Sequence, residues 1–143
     1  MVSSAFQLTQ PTPQTAATPA LASHVLPTNL NDIFQRAELL DDLSAIEQLL
    51  LRLTQSRAPQ LTASGAHIIA SGGKRLRAAL VLLAARLGNY DLERASHPAA
   101  AVELLHTATL VHDDMVDHTP QRRNRATIHT RWGNSVALML GDF

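Results

Sequence analysis

From Asn31 onward, apolar side chains return every three or four positions along the chain. Ile33, Leu40, Leu43, Ile46, Leu50 and Leu53 form one stripe of a first predicted helix, which Asn31 can cap and which ends near Ser56 and Pro59. A second helix is expected over about Gln60 to Ala70, up to the break "SGGK". A third starts near Lys74, runs through "RLRAALVLLAARLG" and stops at Gly88 and Asn89. The fourth is long, from about Glu93 to Asp117. Pro98 fits it only within a first turn, which moves the expected start toward Ser96. A fifth opens after "RRNRATIHTRWGNS". No stretch alternates with the period of a strand, and no segment repeats. The pattern predicts an all-α fold.

Residues 1–30 break this pattern. They hold four of the 7 prolines, no Asp, Glu, Lys or Arg, and many Ser, Thr, Gln and Ala, the composition of a disordered leader. The division expected is therefore a leader over 1–30 and a helical body over 31–143. A secretory signal needs a basic start and an unbroken apolar run, and a mitochondrial presequence needs arginines. The first arginine is Arg36, so the cytoplasm is the expected compartment. "AALVLLAA" and "VALML" are too short to span a bilayer. With 1 Trp, 1 Tyr and 3 Phe, the core must be aliphatic, as antiparallel helix packing allows.

Charge sharpens the picture locally. Lys+Arg 12 balance Asp+Glu 12, so no global field recruits nucleic acid or an anionic surface. With 0 Cys, disulfides, thiolate nucleophiles and sulfur-ligated metals are excluded, and any metal must take oxygen or imidazole ligands.

The end of the fourth helix, "VHDDMVD", supplies such ligands. At helical geometry Asp113 and Asp117 lie about 40° apart and roughly 6 Å along the axis, so both can reach one hard cation. Asp114 points about 100° away, and His106 returns to nearly the face of Asp113 about 10 Å lower. Acids at a helix C-terminus oppose the macrodipole, so a cationic partner is expected to offset them. Basic groups cluster as well. Gly72 and Gly73 permit a tight turn before the third helix, and Lys74 and Arg77 are expected on one face of its first turn beside free backbone N–H groups. Arg122 and Arg123 add bidentate donors suited to phosphate oxygens. Each motif alone is common on protein surfaces. Together, acids that hold Mg²⁺ and bases that hold phosphate describe a site for a diphosphate leaving group.

"GGKRLR", "LLHTATLVHDDMVD" and "RRNRATIHTRWGN", in this order and ending in "GDF", resemble the trans-isoprenyl diphosphate synthases, the polyprenyl synthetase family, over about Leu43 to Phe143. The resemblance implies an antiparallel helix bundle around a deep central cavity. Its activity would be the condensation of isopentenyl diphosphate with an allylic prenyl diphosphate, with Mg²⁺ as cofactor. It implies that Asp113 and Asp117 are metal ligands with Asp114 in support, and that Arg122 holds the allylic diphosphate. Lys74, Arg77, His106 and Arg123 would then hold isopentenyl diphosphate. Bulky side chains at the positions of Ala108 and Thr109 shorten the product in that family, so the small pair here implies a long-chain product of the kind used for quinone side chains. A homodimer is implied for the full-length enzyme.

Three positions depart from the family pattern: Asn124 replaces a common Gly, and Ala78 and Ala126 replace common Pro. Asn tolerates a left-handed backbone and Ala favours a helix, so no functional group is lost. The family is longer and carries a second aspartate-rich motif that this chain lacks. The chain is thus read as the N-terminal part of a synthase, expected to be inactive by itself. Two other classes compete. A phosphohydrolase of the HD type would use His112 and Asp113 with His67 and Asp117 but leaves the basic residues unexplained. A non-catalytic helical subunit would not need Asp113 and Asp117.

Overall fold

The computed structural model describes residues 29–143, so the predicted leader lies almost wholly outside the described residues. The expected first helix is two. α1 (Leu30–Arg36) is capped by Asn29, not Asn31, with the Asn29 Oδ1 accepting from the Asp32 N–H at 3.0 Å. α2 (Leu40–Leu53) follows after a sharp stop. Glu38 takes φ 53°, the Leu39 N–H reaches back to the Phe34 carbonyl and the Glu38 N–H to that of Gln35. This is a Schellman ending, and its usual apolar contact is met by the buried Leu39 and Phe34. A three- and four-residue apolar period continues across such a stop, so the sequence pattern joined the two pieces.

α3 (Pro59–Ala70) begins on a proline whose missing N–H costs nothing in a first turn. α4 (Leu76–Ala85) starts later than expected, because Arg75 adopts a left-handed backbone at φ 45°. α5 (Leu92–Val116) starts earlier, capped by Asp91, whose Oδ1 accepts from the N–H groups of Glu93 and Arg94. Pro98 therefore sits in the second turn, inside the helix rather than at its start. It is exposed there, where its ring displaces no packed neighbour.

After α5 comes a short ribbon not expected from the sequence pattern. β1 (Gln121–Arg122) pairs antiparallel with β2 (Arg125–Ala126), Gln121 opposite Ala126 and Arg122 opposite Arg125. Arg123 and Asn124 turn the corner with φ 52° and 61°, the pair of positive angles that the tightest hairpin requires. Asn124 thus takes the left-handed backbone expected of it. Strands of 2 residues are too short to display a period. α6 (Ile128–Trp132) and α7 (Asn134–Asp142) complete the described chain.

The core divides in two. The larger part joins α1, α2, α4 and the first half of α5 through Ile46, Leu50, Leu82 and the fully buried Ala78, Ala79, Ala99 and Ala100, with Ile69 from α3. Alanines at the α4–α5 crossing let the two backbones approach closely, which sets the α4 entrance against α5. The smaller part gathers Val111, Ile128 and Ala137 beneath the second half of α5. No helix among the described residues is long and apolar enough to cross a membrane.

Candidate active site

Between the α3–α4 loop, the middle of α5 and the hairpin lies a cavity of about 540 Å³. Lys74, Arg77, His106, Asp114, Arg122 and Arg123 all line it. Five of the predicted site residues that carry basic groups, from three separate stretches of sequence, therefore share one wall system. Lys74 precedes α4 rather than joining its first turn, yet it opens on the same space as Arg77.

The basic loop is held from within. Gly72 takes φ 73°, and the buried Arg75 sends its guanidinium to the Glu47 carboxylate at 3.2 Å and to the Ile69 carbonyl at 2.9 Å. A Cβ on Gly73 would lie 3.0 Å from Arg123 Nη1, so a side chain there would press on that guanidinium. Two of the N–H groups expected to be free at the α4 start are taken. The Glu103 carboxylate accepts from both Arg77 N–H and Ala78 N–H at 3.1 Å. Sequence reasoning missed Arg75 and Glu103. Their signals were a third basic residue in "GGKRLR" and one acid in the apolar run "AAAVELL".

The acidic residues separate into two kinds. Asp114 is 4% exposed and accepts from Arg122 Nε at 2.9 and 3.0 Å and from Nη2 at 2.8 Å. The Arg122 pKa is raised first by this hydrogen bond and then by the charges of Asp114, Asp113 and Asp117, with burial opposing, so it stays a cation. Asp113 and Asp117 are exposed, and neither side chain makes a hydrogen bond or ion pair with the described residues. Neither lines the cavity; they flank Asp114 at the end of α5, near enough for their charges to act on Arg122, where the helix ends in another Schellman pattern: Thr119 N–H to the Asp114 carbonyl, with His118 at φ 52°. Among the described residues no three His or carboxylate groups converge on one point. The third acid of the expected cluster is turned toward Arg122. Two unpartnered carboxylates one helical turn apart still offer the hard oxygen donors that a divalent cation takes, so Asp113 and Asp117 fit such an ion.

A second cavity of about 300 Å³ is apolar, lined by Leu53, Ile69, Leu104, Val111, Leu140 and Ala108 among others. Ile68 and Thr107 line both cavities, so the two adjoin. Thr109 lines neither; it is exposed, its hydroxyl donating to the His106 carbonyl at 2.7 Å.

The histidines of the phosphohydrolase reading go elsewhere. His67 Nε2 meets the Ala126 carbonyl at 2.9 Å, its Nδ1 faces Arg131, and its ring meets Trp132 edge-on. His67 thereby ties the hairpin to α3. His112 bonds the Leu138 carbonyl and faces Asp142, its ring pressed on Gly141 where no Cβ could fit.

The sequence pattern of the Polyprenyl synthetase family matches residues 58–143. The chain belongs to the polyprenyl synthetase family. It is 50% identical over 105 residues to heptaprenyl diphosphate synthase component 2 of Geobacillus stearothermophilus, which covers 73% of this chain and 33% of that protein. Among solved structures, a decaprenyl diphosphate synthase from Rhodobacter capsulatus superposes with a TM-score of 0.73 at 42% identity, over 80% of this chain and 35% of that one. A polyprenyl synthase from Caulobacter crescentus CB15, complexed with calcium and isoprenyl diphosphate, gives 0.72 at 38% identity over 80% and 34%. The chain spans about a third of the length of the relatives it matches. The all-helical isoprenoid synthase fold expected from the sequence is thereby established for the matched part.

Proposed function

We infer that this chain forms the diphosphate-binding end of a polyprenyl diphosphate synthase. The reaction joins isopentenyl diphosphate to an allylic prenyl diphosphate and yields a longer all-trans polyprenyl diphosphate and free diphosphate. The observation that carries this reading is a basic cavity that shares Ile68 and Thr107 with an apolar one and is lined by Asp114 and Arg122, with the exposed carboxylates of Asp113 and Asp117 beside Asp114 on α5.

Lys74, Arg77, His106 and Arg123 hold the diphosphate of isopentenyl diphosphate. Arg122 uses Nε and Nη2 on Asp114, which leaves Nη1 to donate to the allylic diphosphate. Asp114 is in this reading a brace for Arg122 rather than a metal ligand. Asp113 and Asp117 would hold a magnesium ion, which would supply positive charge for the diphosphate that leaves as the C–O bond breaks. The double bond of isopentenyl diphosphate then attacks the allyl cation, and a proton passes to the departed diphosphate, so no side-chain base is required. Apolar walls around Ile68 keep water from the cation. The growing tail enters the space beside Ala108, where each five-carbon unit buries roughly 4 kcal/mol of apolar surface as an upper estimate. A long-chain product belongs to this reading, with the apolar cavity beside Ala108 receiving the tail. The partnerless Asp113 and Asp117 favour this catalytic role over that of a non-catalytic subunit. Assembly as a homodimer belongs to the same proposal, with a heteromeric complex as its alternative.

The test is a chimera in which residues 58–143 replace the matching segment of the Rhodobacter decaprenyl diphosphate synthase. It is expected to release diphosphate and make prenyl chains from isopentenyl and allylic diphosphates. In the same chimera Ala108→Tyr is expected to shorten the dephosphorylated products on chromatography. A folded chimera without turnover contradicts the activity, and an unchanged length distribution in active Ala108→Tyr contradicts the tail path.

A further inference from the structure

The basic cavity contains one carboxylate that the proposed reaction does not use. Glu103, near the middle of α5, is 5% exposed, lines the cavity, and accepts through Oε1 from the N–H groups of Arg77 and Ala78. Those are two of the donors at the start of α4 that no carbonyl within the helix can take. α4 has no side-chain cap of its own, since Arg75 occupies the cap position and turns its guanidinium away to Glu47 and the Ile69 carbonyl. The helix is therefore completed by a carboxylate from another helix, 26 residues away for Arg77. Two hydrogen bonds to one oxygen fix both the height and the rotation of α4 against α5. Arg77 is gripped by its own N–H, so the origin of its side chain is set directly. Lys74 lies on the same loop that Arg75 pins from the other side.

We propose that Glu103 is a positioning residue for the diphosphate of isopentenyl diphosphate: it holds the start of α4 so that Arg77 and Lys74 converge on the substrate. The proposal rests on the reading of this cavity as a diphosphate site. A guanidinium fixed at its base loses less freedom when it binds.

The experiment is calorimetric titration of metal-free inorganic diphosphate into the 143-residue chain and its variants, with helix content checked by circular dichroism. Glu103→Leu is expected to weaken binding by about tenfold, the scale of charge-assisted hydrogen bonds lost. Glu103→Gln keeps an oxygen for both N–H groups and is expected to stay within about threefold of the parent. In an Arg77→Ala background, Glu103→Leu is expected to cost little more, because its effect acts through Arg77. Should Glu103→Leu not fold, Glu103→Asp, which withdraws the carboxylate by one methylene, takes its place with the same expected non-additivity. Parent-like binding by Glu103→Leu, equal losses for Gln and Leu, or additive losses with Arg77→Ala would each overturn the role of Glu103 while leaving the site. A parent chain that does not bind diphosphate overturns the site reading and the role together.

Discussion

The basic loop before α4 and the acidic end of α5 face each other across one cavity but are built in opposite ways. Around Lys74 and Arg77 the supports are already in place: Arg75 is pinned to Glu47 and Ile69, and Glu103 caps the helix. At the other side only Asp114 is hydrogen-bonded, by Arg122, while Asp113 and Asp117 are exposed and feel Arg122 only through charge. A preformed cationic wall can meet a diphosphate without reorganising. On the proposed reading, a bound cation would complete the acidic end, whose charges oppose the helix dipole. The two halves would then differ before substrate arrives: one finished, the other waiting for its ion.

The comparison is broken most severely at its shared hinge, the Asp114–Arg122 pair. Arg122→Leu leaves the Asp114 carboxylate, 4% exposed, without its counter-ion. The expected loss is about 2 to 3 kcal/mol in urea unfolding, at the low end for a buried pair because Arg122 itself is 40% exposed. An unchanged midpoint would show that Asp114 is solvated and the brace unimportant. A smaller effect of opposite sign is expected at the acidic end. Asp113→Ala removes a charge that opposes the helix dipole and breaks no hydrogen bond, losing only a screened attraction to Arg122, so stability should rise by about 0.5 kcal/mol or less in low salt. A clear loss of stability would mean that Asp113 has a structural partner and is not waiting for one.

How much of this was legible depended on whether a signal lay along the chain or across it. α3 and the C-terminal end of α5 followed from local signals, while the α5 start was placed too late because Pro98 was expected in a first turn; the gathering of Lys74, Arg77, His106, Arg122 and Arg123 followed from the family resemblance. The break at Glu38 was hidden because a Schellman ending with an apolar Leu39 keeps the same three- and four-residue spacing. The hairpin was hidden because its strands are shorter than any period, although Asn124 had the right chemistry for its turn. Glu103 and Arg75 were illegible in role, since each acts on the backbone of a distant element. The split of the aspartates was only half visible: helical geometry set Asp114 apart by angle, but nothing local showed that Arg122 would claim it. The leader expected at residues 1–30 lies almost wholly outside the described residues.

The claim that the acidic end of α5 awaits a cation is tested most directly by titrating geranyl diphosphate into the chain with saturating Mg²⁺ and with the metal chelated, for the parent and for Asp113→Ala. The account predicts that Mg²⁺ tightens binding by about tenfold or more in the parent, since a nearby divalent charge offsets diphosphate repulsion, and that Asp113→Ala binds with nearly the same affinity in both conditions. A full Mg²⁺ enhancement in Asp113→Ala, or none in the parent, would contradict it.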